Sequence, residues 1–220
     1  MSTVKIHRYE GAGIMVTYDA QRCIHAKECV RGLPAVFDSK RKPWVDARAA
    51  RGEEVALVIE RCPTGALRYE RRDGGPQEAA PPKNTIRVAA DGPLYLHGRV
   101  RVDGVGGQPV VRDARVALCR CGQSALKPFC DGSHTKTEFK DAGVVPKPQV
   151  QADAGKSGDG ALTILCQADG SLAVTGDFEL VDAMGAVVAR GNAAWLCRCG
   201  GSGNKPFCDG THKKIGFKAS

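Results

Sequence analysis

Three cysteines and one histidine recur in the same frame, C-x-C-x8-C-x3-H, at two places in the chain. The first set is Cys119, Cys121, Cys130 and His134, and the second is Cys197, Cys199, Cys208 and His212. Thiolate and imidazole groups form a soft ligand set that suits iron-sulfur clusters or zinc. Because every ligand position is kept in both copies, the sequence predicts two metal centres.

The spacing within each set bears on which metal it holds. Cysteine pairs that bind zinc are usually separated by two to four residues, whereas a single arginine separates the first two cysteines here. A tight pair followed at a distance by a second pair fits a [2Fe-2S] cluster better, with one pair on each iron. Histidine in place of thiolate raises the potential of such a cluster, as Rieske centres show. Zinc is the alternative metal.

The frame and the Cys-Asp-Gly-Ser-His segment that closes it resemble the CDGSH iron-sulfur domain of the mitoNEET-like family. The resemblance covers roughly the last two thirds of the chain, and the second copy has Thr211 in place of the serine. It implies a [2Fe-2S] cluster in each copy, with the two neighbouring cysteines on the buried iron and the third cysteine and the histidine on the outer one. Such family members are homodimers that share a β-sandwich. The tandem copies therefore predict an intramolecular pseudo-dimer that is a monomer in solution.

The two copies keep a constant offset of 78 positions, which relates Ile86 to Ile164 and Phe139 to Phe217 without a gap. Apolar residues alternate along short segments ahead of the cysteines, which predicts antiparallel strands. A copy of roughly 56 residues is marginal for a core of its own, so the copies are expected to need each other. The predicted fold class is α+β, with repeats over residues 84–140 and 161–220 and a Pro- and Gly-rich linker over 141–160.

Short helical stretches are expected directly after the third cysteine of each copy. Asp131 and Asp209 precede these stretches and are predicted to be their N-caps, which places the ligand histidines in the first turn. Free backbone N–H groups at a helix start point toward negative charge, and a cluster with three thiolates is negative. Gly132 and Gly210 are expected to let the backbone approach the cluster.

A third set of cysteines lies within residues 1–72. Cys23 and Cys29 are followed by Cys62, which directly precedes a proline, as in the closing element of bacterial ferredoxin clusters. The middle position of the usual C-x2-C-x2-C opening is Ala26, so three ligands remain. The stretch resembles the divergent single-cluster ferredoxin-like domain that some bacterial proteins join to CDGSH units. A small α+β domain is predicted, with a strand, the cluster loop, a helix over about 53–61 and a final strand at 67–69, in that order.

Three thiolates match a [3Fe-4S] cluster, in which each of three irons takes one. A [4Fe-4S] cluster needs a fourth, non-cysteine ligand, for which His25 is the nearest candidate, although a solvated side chain is the simpler explanation of that histidine. An empty site is a further alternative. The tenth cysteine, Cys166, stands where the first repeat has a valine and is expected to be buried as a small apolar residue. Trp44 and Trp195 are expected in the cores.

Composition limits the setting. The chain has 220 residues, of which 42% are hydrophobic and 5% aromatic, with no apolar run of transmembrane length and no signal peptide. A soluble cytoplasmic protein is expected, because cluster ligands must stay reduced. The formal net charge of +8 falls to about +4 with three clusters bound, and the basic residues are spread along the chain. Nucleic-acid binding is therefore not expected, and an acidic partner protein fits the charge better.

Two function classes fit these features. The first is electron transfer to a redox partner protein, for which clusters of different ligand type form a series of sites. The second is cluster storage, delivery to an apo acceptor, or redox and pH sensing through the ligand histidines. The sequence shows no further nucleophile, acid–base pair or cofactor loop, so no enzymatic activity is expected.

Overall fold

The computed structural model describes residues 6–152 and 160–219. They belong to two compact units, one up to Ala79 and one from Ala80 onward. Both strands and a few helices are present, which confirms the predicted α+β class. Within the described ranges, no helix has the length and apolar character that crossing a membrane requires. Part of the predicted linker, residues 153–159, lies outside the described residues.

The first unit contains a three-stranded antiparallel sheet in the order β1-β2-β3. Its elements are β1 (Ile6–Gly11), β2 (Ile14–Asp19), α1 (Glu28–Gly32), α2 (Gly52–Ile59) and β3 (Leu67–Arg71). The predicted helix and final strand are both present. The sequence predicts one strand ahead of the cluster loop, where the structure has the β1–β2 hairpin. No residue of β1 is fully buried, and its apolar alternation is weak.

The second unit contains both repeats. Its elements are β4 (Thr85–Val88), β5 (Leu94–Asp103), β6 (Pro109–Leu118), β7 (Leu162–Cys166), β8 (Leu172–Val181), β9 (Val187–Leu196) and α3 (Thr211–Lys214). Segments that the sequence predicts as separate short strands are joined in β5, β8 and β9. The register shifts within β5 after His97 and within β8 after Thr175. Gly98 and Gly176 lie at these shifts with φ of 147° and 101°, where a side chain would be strained.

The strand pairings of the first repeat recur in the second, offset by the same 78 positions as the sequence. Within each repeat β4 pairs with β5, and β7 with β8, in antiparallel fashion. Between repeats β4 pairs in parallel with the second half of β8, and β7 with the second half of β5. These four strands form a closed ring of pairings, with β6 added beside β5 and β9 beside β8. Each repeat therefore completes the sheet of the other.

One hydrophobic core serves both repeats. Ile86 and Leu96 of the first repeat belong to the same buried cluster as Ile164 and Val174 of the second. Cys166 is 1% exposed within this core, as its apolar counterpart in the first repeat suggests. The expectation for Trp195 was wrong, since its side chain is 46% exposed on the outer side of β9. Alternation along β9 places Ala194 and Leu196 inward and the residue between them outward.

Candidate metal centres

The two neighbouring cysteines of each repeat follow the last strand of that repeat. β6 ends at Leu118 and β9 at Leu196, one residue before Cys119 and Cys197. The Sγ atoms of Cys119 and Cys121 are 3.7 Å apart, and those of Cys197 and Cys199 are 3.6 Å apart. A tetrahedral metal with bonds of about 2.3 Å to sulfur would hold two thiolates about 3.8 Å apart. All four sulfurs belong to buried residues, so each pair is ready to share one metal ion.

The third cysteine and the histidine form a second pair in each repeat. The distance from Cys130 Sγ to His134 Nδ1 is 3.3 Å, and that from Cys208 Sγ to His212 Nδ1 is also 3.3 Å. The backbone N–H of Cys130 donates to Ala117 at 2.9 Å, which ties the loop to β6. Both histidines are partly exposed, whereas the cysteine pairs lie deeper. The structure therefore separates an inner pair from an outer pair.

Within the described residues, no three or more side chains of His, Cys, Asp and Glu converge as a single-ion site would require. The donors of each repeat come together only in twos. This arrangement can hold two metal ions per repeat, one between the members of each pair.

Burial raises the pKa of several candidate thiols, which opposes formation of the thiolate when no metal is bound. Burial raises the pKa of Cys130 to about 12 and that of Cys199 to about 11. The thiol of Cys119 donates to Cys121, which lowers the pKa of Cys121 to about 7. Burial also lowers the pKa of His134, which favours the neutral imidazole that binds metal. Metal binding should therefore release protons from the thiols.

The loops between the pairs are held by one aspartate in each repeat. Asp131 accepts from the N–H of Ser133 at 2.9 Å and from the N–H of Ala125 at 2.8 Å. Asp209 accepts in the same way from Thr211 at 2.9 Å and from Gly203 at 2.8 Å. These hydrogen bonds join the two ends of the loop between the ligand pairs.

The predicted N-cap position was one residue too early. Gly132 and Gly210 occupy the cap positions, with φ of 86° and 84°. Glycine adopts this left-handed conformation without a steric penalty, so it takes the cap position and the preceding aspartate supplies the hydrogen bonds. The helical stretches are a 3-10 turn over Ser133–Thr135 and the single-turn helix α3. They contain the ligand histidines, as predicted.

The arginine between the two cysteines of each inner pair is a feature that sequence reasoning missed. Arg120 and Arg198 are each 1% exposed. Their Nε atoms donate to the carbonyl oxygens of Gly92 and Gly170, at 2.9 and 3.0 Å. Arginine is rarely buried without a partner, so composition gives no reason to expect these two inside. The only sequence signal is their position between two predicted ligands.

The two inner cysteine pairs lie against each other across the unit. A Cβ atom at Gly122 would lie 2.3 Å from the carbonyl oxygen of Cys199. A Cβ atom at Gly200 would lie 2.4 Å from that of Cys121. Glycine is therefore needed at both positions, because the backbones of the two ligand loops are in direct contact.

The cysteines of the first unit line one pocket. Cys23, Cys29 and Cys62 all contribute to it, together with Ala26 and Tyr18. Burial, and then the neighbouring Cys62, raises the pKa of Cys29 to about 11, as expected for thiols that lie close together. The structure therefore brings the three thiols to one pocket.

His25, the candidate fourth ligand, is not among the described residues that line this pocket, and its side chain is exposed. It has φ of 57°, in the left-handed region, within the loop that leads from Cys23 to Cys29. Glu28 does line the pocket, and Ala26 occupies the place where a cysteine would complete the usual set. The structure therefore gives no support to His25 as a ligand.

Two family models match the chain. Residues 9–72 match a family described as a divergent 4Fe-4S mono-cluster, and residues 91–135 and 169–213 match the iron-binding zinc finger of CDGSH type. The protein YjdI of Escherichia coli strain K12 is 39% identical over 64 residues, which is 29% of this chain and 84% of YjdI. YjdI of Escherichia coli O157:H7 matches with the same figures. The matches cover the three groups of ligands.

Proposed function

We propose that this protein, which belongs to the CDGSH-type iron-binding family and carries a divergent 4Fe-4S mono-cluster domain, transfers electrons through three iron-sulfur clusters. The observation that carries the proposal is the repeated geometry of the donor pairs, with inner sulfurs 3.7 and 3.6 Å apart and outer Cys–His pairs at 3.3 Å in both repeats. The matched geometry of the two sites supports the same kind of cluster, and therefore the same one-electron chemistry, in both repeats.

Each repeat is proposed to hold a [2Fe-2S] cluster through three cysteines and one histidine. Cys119 and Cys121 would bind the inner iron of the first repeat, and Cys130 and His134 the outer one. The second repeat would use Cys197, Cys199, Cys208 and His212 in the same way. Donors that converge in twos suit two irons better than one tetrahedral zinc, which needs four donors at one point.

The first unit is proposed to hold a cluster through Cys23, Cys29 and Cys62. Three thiolates match [3Fe-4S], and a [4Fe-4S] cluster in the same pocket needs a non-cysteine ligand on its fourth iron. An oxidised [3Fe-4S] cluster is paramagnetic, whereas an oxidised [2Fe-2S] cluster is not. Electron paramagnetic resonance of the oxidised protein therefore distinguishes the two forms of this site and leaves the paired sites silent.

The second unit is proposed to replace a homodimer. The reciprocal pairing of β4 with β8 and of β7 with β5 supports a pseudo-dimeric β-sandwich within one chain. Strands that complete each other internally leave less reason for a second chain. A monomer is expected by light scattering, and a stable dimer mass would contradict this part of the proposal.

The charge of the chain and its thiol ligands bear on its partner and its location. The partner is an electron-transfer protein with an acidic surface, in keeping with the net charge of +8. A cytoplasmic location suits thiol ligands, which a reducing compartment preserves. No catalytic role beyond electron transfer is proposed.

Metal analysis and redox cycling test the function together. Two [2Fe-2S] clusters and one [3Fe-4S] cluster together contain about seven irons and about eight sulfides. Analysis should therefore find at least about seven irons and about eight acid-labile sulfides per chain. The visible absorption should bleach on reduction and return on reoxidation over several cycles. Progressive loss of absorption during cycling would contradict electron transfer, and zinc in place of iron would contradict the cluster assignment.

Cluster delivery is the second candidate, and the partly exposed His134 and His212 favour it. A histidine ligand near the surface can be protonated, which weakens its bond to iron at low pH. If delivery is the task, an apo acceptor should gain cluster at neutral pH, and His134→Cys with His212→Cys should slow that gain. If electron transfer is the task, the same substitutions should lower the potential and reduce its dependence on pH.

A further inference from the structure

The two buried arginines occupy equivalent places but have different partners. Arg120 Nη1 donates to the carboxylate of Asp141. The residue 78 positions later is Ala219, whose carbonyl oxygen accepts from Arg198 Nη2 at 3.2 Å. Arg198 Nη1 is buried and has no hydrogen-bond partner within residues 6–152 and 160–219. A buried positive charge is thus neutralised in the first repeat, whereas no described residue brings a carboxylate to Arg198 in the second.

The backbone around the two positions is the same. The N–H of Asp141 donates to Asp91 at 2.7 Å, and the N–H of Ala219 donates to Asp169 at 2.9 Å. The carbonyl oxygens of both residues accept from the N–H groups of the same two aspartates. The arginine and the aspartate that holds the backbone are therefore present in both repeats. The two places differ only in the side chain at position 141 or 219, which is a carboxylate in the first repeat and a methyl group in the second.

The segments that follow the ligand histidines differ in the same direction. Residues 135–141 contain two lysines, one glutamate and one aspartate, and are formally neutral. Residues 213–219 contain three lysines and no acidic residue, and carry a formal charge of +3. The exposed lysines are screened by salt, whereas the carboxylate bound to the buried Arg120 is screened much less. Among these charges, Asp141 should therefore have the largest single effect on the potential of a cluster.

We propose that Asp141, together with its replacement by alanine at position 219, gives the two paired clusters different potentials, the lower in the first repeat and the higher in the second. The inference rests on the proposed function. Reduction adds one negative charge to a cluster, so the carboxylate of Asp141 opposes reduction of the first cluster, whereas alanine at position 219 brings no such charge to the second. Identical ligand sets alone would leave the two potentials equal.

The structure connects Asp141 to the first site through Arg120. Arg120 lies between Cys119 and Cys121 in the chain, and its charge acts on His134 as well. The charge of Arg198 also reaches Cys119, so an arginine by itself does not favour one site. The carboxylate has no equivalent among the described residues at the second position. An electron shared by the pair should thus reside in the second repeat.

A redox titration of the full, cluster-loaded chain, followed by electron paramagnetic resonance, tests the inference. Two one-electron [2Fe-2S] transitions are expected at different potentials. Asp141→Asn keeps the shape of the side chain and removes its charge. At a fixed ambient potential it should raise the reduced-to-oxidised ratio of the lower-potential cluster three- to tenfold, a shift of about 30 to 60 mV for one electron. Ala219→Asp should lower the higher transition by a similar factor.

Matched variants separate charge from structure. Asp141→Glu retains the charge and Ala219→Asn adds only an amide, so both should leave the transitions near their original positions. Coincident transitions in the unaltered protein, or no movement in both Asp141→Asn and Ala219→Asp, would overturn the inference. Should Asp141→Asn lose iron, the comparison of Ala219→Asp with Ala219→Asn still decides it. Failure to find two [2Fe-2S] clusters by iron and sulfide content would instead overturn the proposed function.

Discussion

The centres of the repeats and the centre of the first unit prepare their ligands to different degrees. In the repeats, the donors already stand 3.3 to 3.7 Å apart in pairs. The inner pairs follow β6 and β9 directly, and the outer pairs lie in the loops and short helical turns beyond them. In the first unit, three thiols line a pocket, but one lies after a 3-10 turn, one in the short helix α1 and one after α2. Four donors in two close pairs are preorganised, whereas three donors on separate elements leave part of the arrangement to the cluster.

Removal of a ligand should break the comparison most sharply. Cys199→Ser should abolish the cluster of the second repeat. It should also weaken binding of the cluster in the first repeat, because Gly200 lies against Cys121. Cys62→Ser should abolish only the cluster of the first unit. Iron and sulfide per chain measure both losses. The control is Cys166→Val, which copies the residue of the first repeat and should retain all iron.

Completion of the ligand set in the first unit should have the next largest effect. Ala26→Cys places a fourth thiol in the pocket and should produce a [4Fe-4S] cluster. The paramagnetic signal of an oxidised [3Fe-4S] form should disappear, and the cluster should survive exposure to a chelator for longer. Ala26→Ser is the control of similar size. An unchanged spectrum in Ala26→Cys would show that this position does not face the cluster.

Loss of a loop aspartate should have a moderate effect on the repeats. Asp209→Ala removes hydrogen bonds to Thr211 and Gly203 and should lower the free energy of unfolding by about 1 kcal/mol, as loss of a helix cap does. Thermal unfolding at pH 7 measures this, with Asp182→Ala as a control that removes a turn-binding aspartate elsewhere. A loss of iron with no change in thermal midpoint would indicate a role at the cluster instead.

The same aspartate should show a defined pH dependence. Hydrogen bonds from Thr211 hold the pKa of Asp209 well below the usual range of an aspartate. Because the folded-state pKa is lowered, the stabilisation is fully present above the unfolded pKa and is lost as the pH falls through the folded one. The difference in midpoint between Asp209→Ala and the unaltered protein should therefore be constant at neutral pH and shrink below about pH 4. A difference that grew on acidification would contradict this sign.

Substitution of His25 should have the smallest effect. His25→Asn suits the left-handed backbone and removes the imidazole, and the side chain is exposed. Stability should change by less than about 0.5 kcal/mol, and the iron content of the first unit should stay the same. Loss of that iron would identify His25 as a ligand and would make the first centre more like the paired ones.

Sequence reasoning predicted those helices and strands that the local sequence pattern determines. Alternation predicted the strands of the repeats, and the helix over about 53–61 corresponds to α2 at Gly52–Ile59. It predicted one strand ahead of the cluster loop, where the structure has the β1–β2 hairpin, and it placed Trp195 in the core. The error at Trp195 arose because local apolar character does not say which side of a strand is covered by the rest of the chain.

Within the candidate sites, sequence alone named the cysteines and histidines, since their chemistry and spacing need no knowledge of the fold. Their grouping into inner and outer pairs was implied by the family resemblance, and the structure adds the distances within each pair. The role of Gly132 also needed the backbone, because a φ of 86° is not evident from an Asp-Gly pair.

The chain's repeated ligand frame and its constant offset were determined by the sequence itself, because identity and order of residues are enough to define them. Tertiary structure decided what crosses between the repeats: the parallel pairings of β4 with β8 and β7 with β5, and the contact of Gly122 with Cys199. It also decided that Asp141 meets Arg120 while Ala219 leaves Arg198 without a carboxylate. Such contacts join residues distant in the chain, and their energies depend on burial, which only the folded molecule creates.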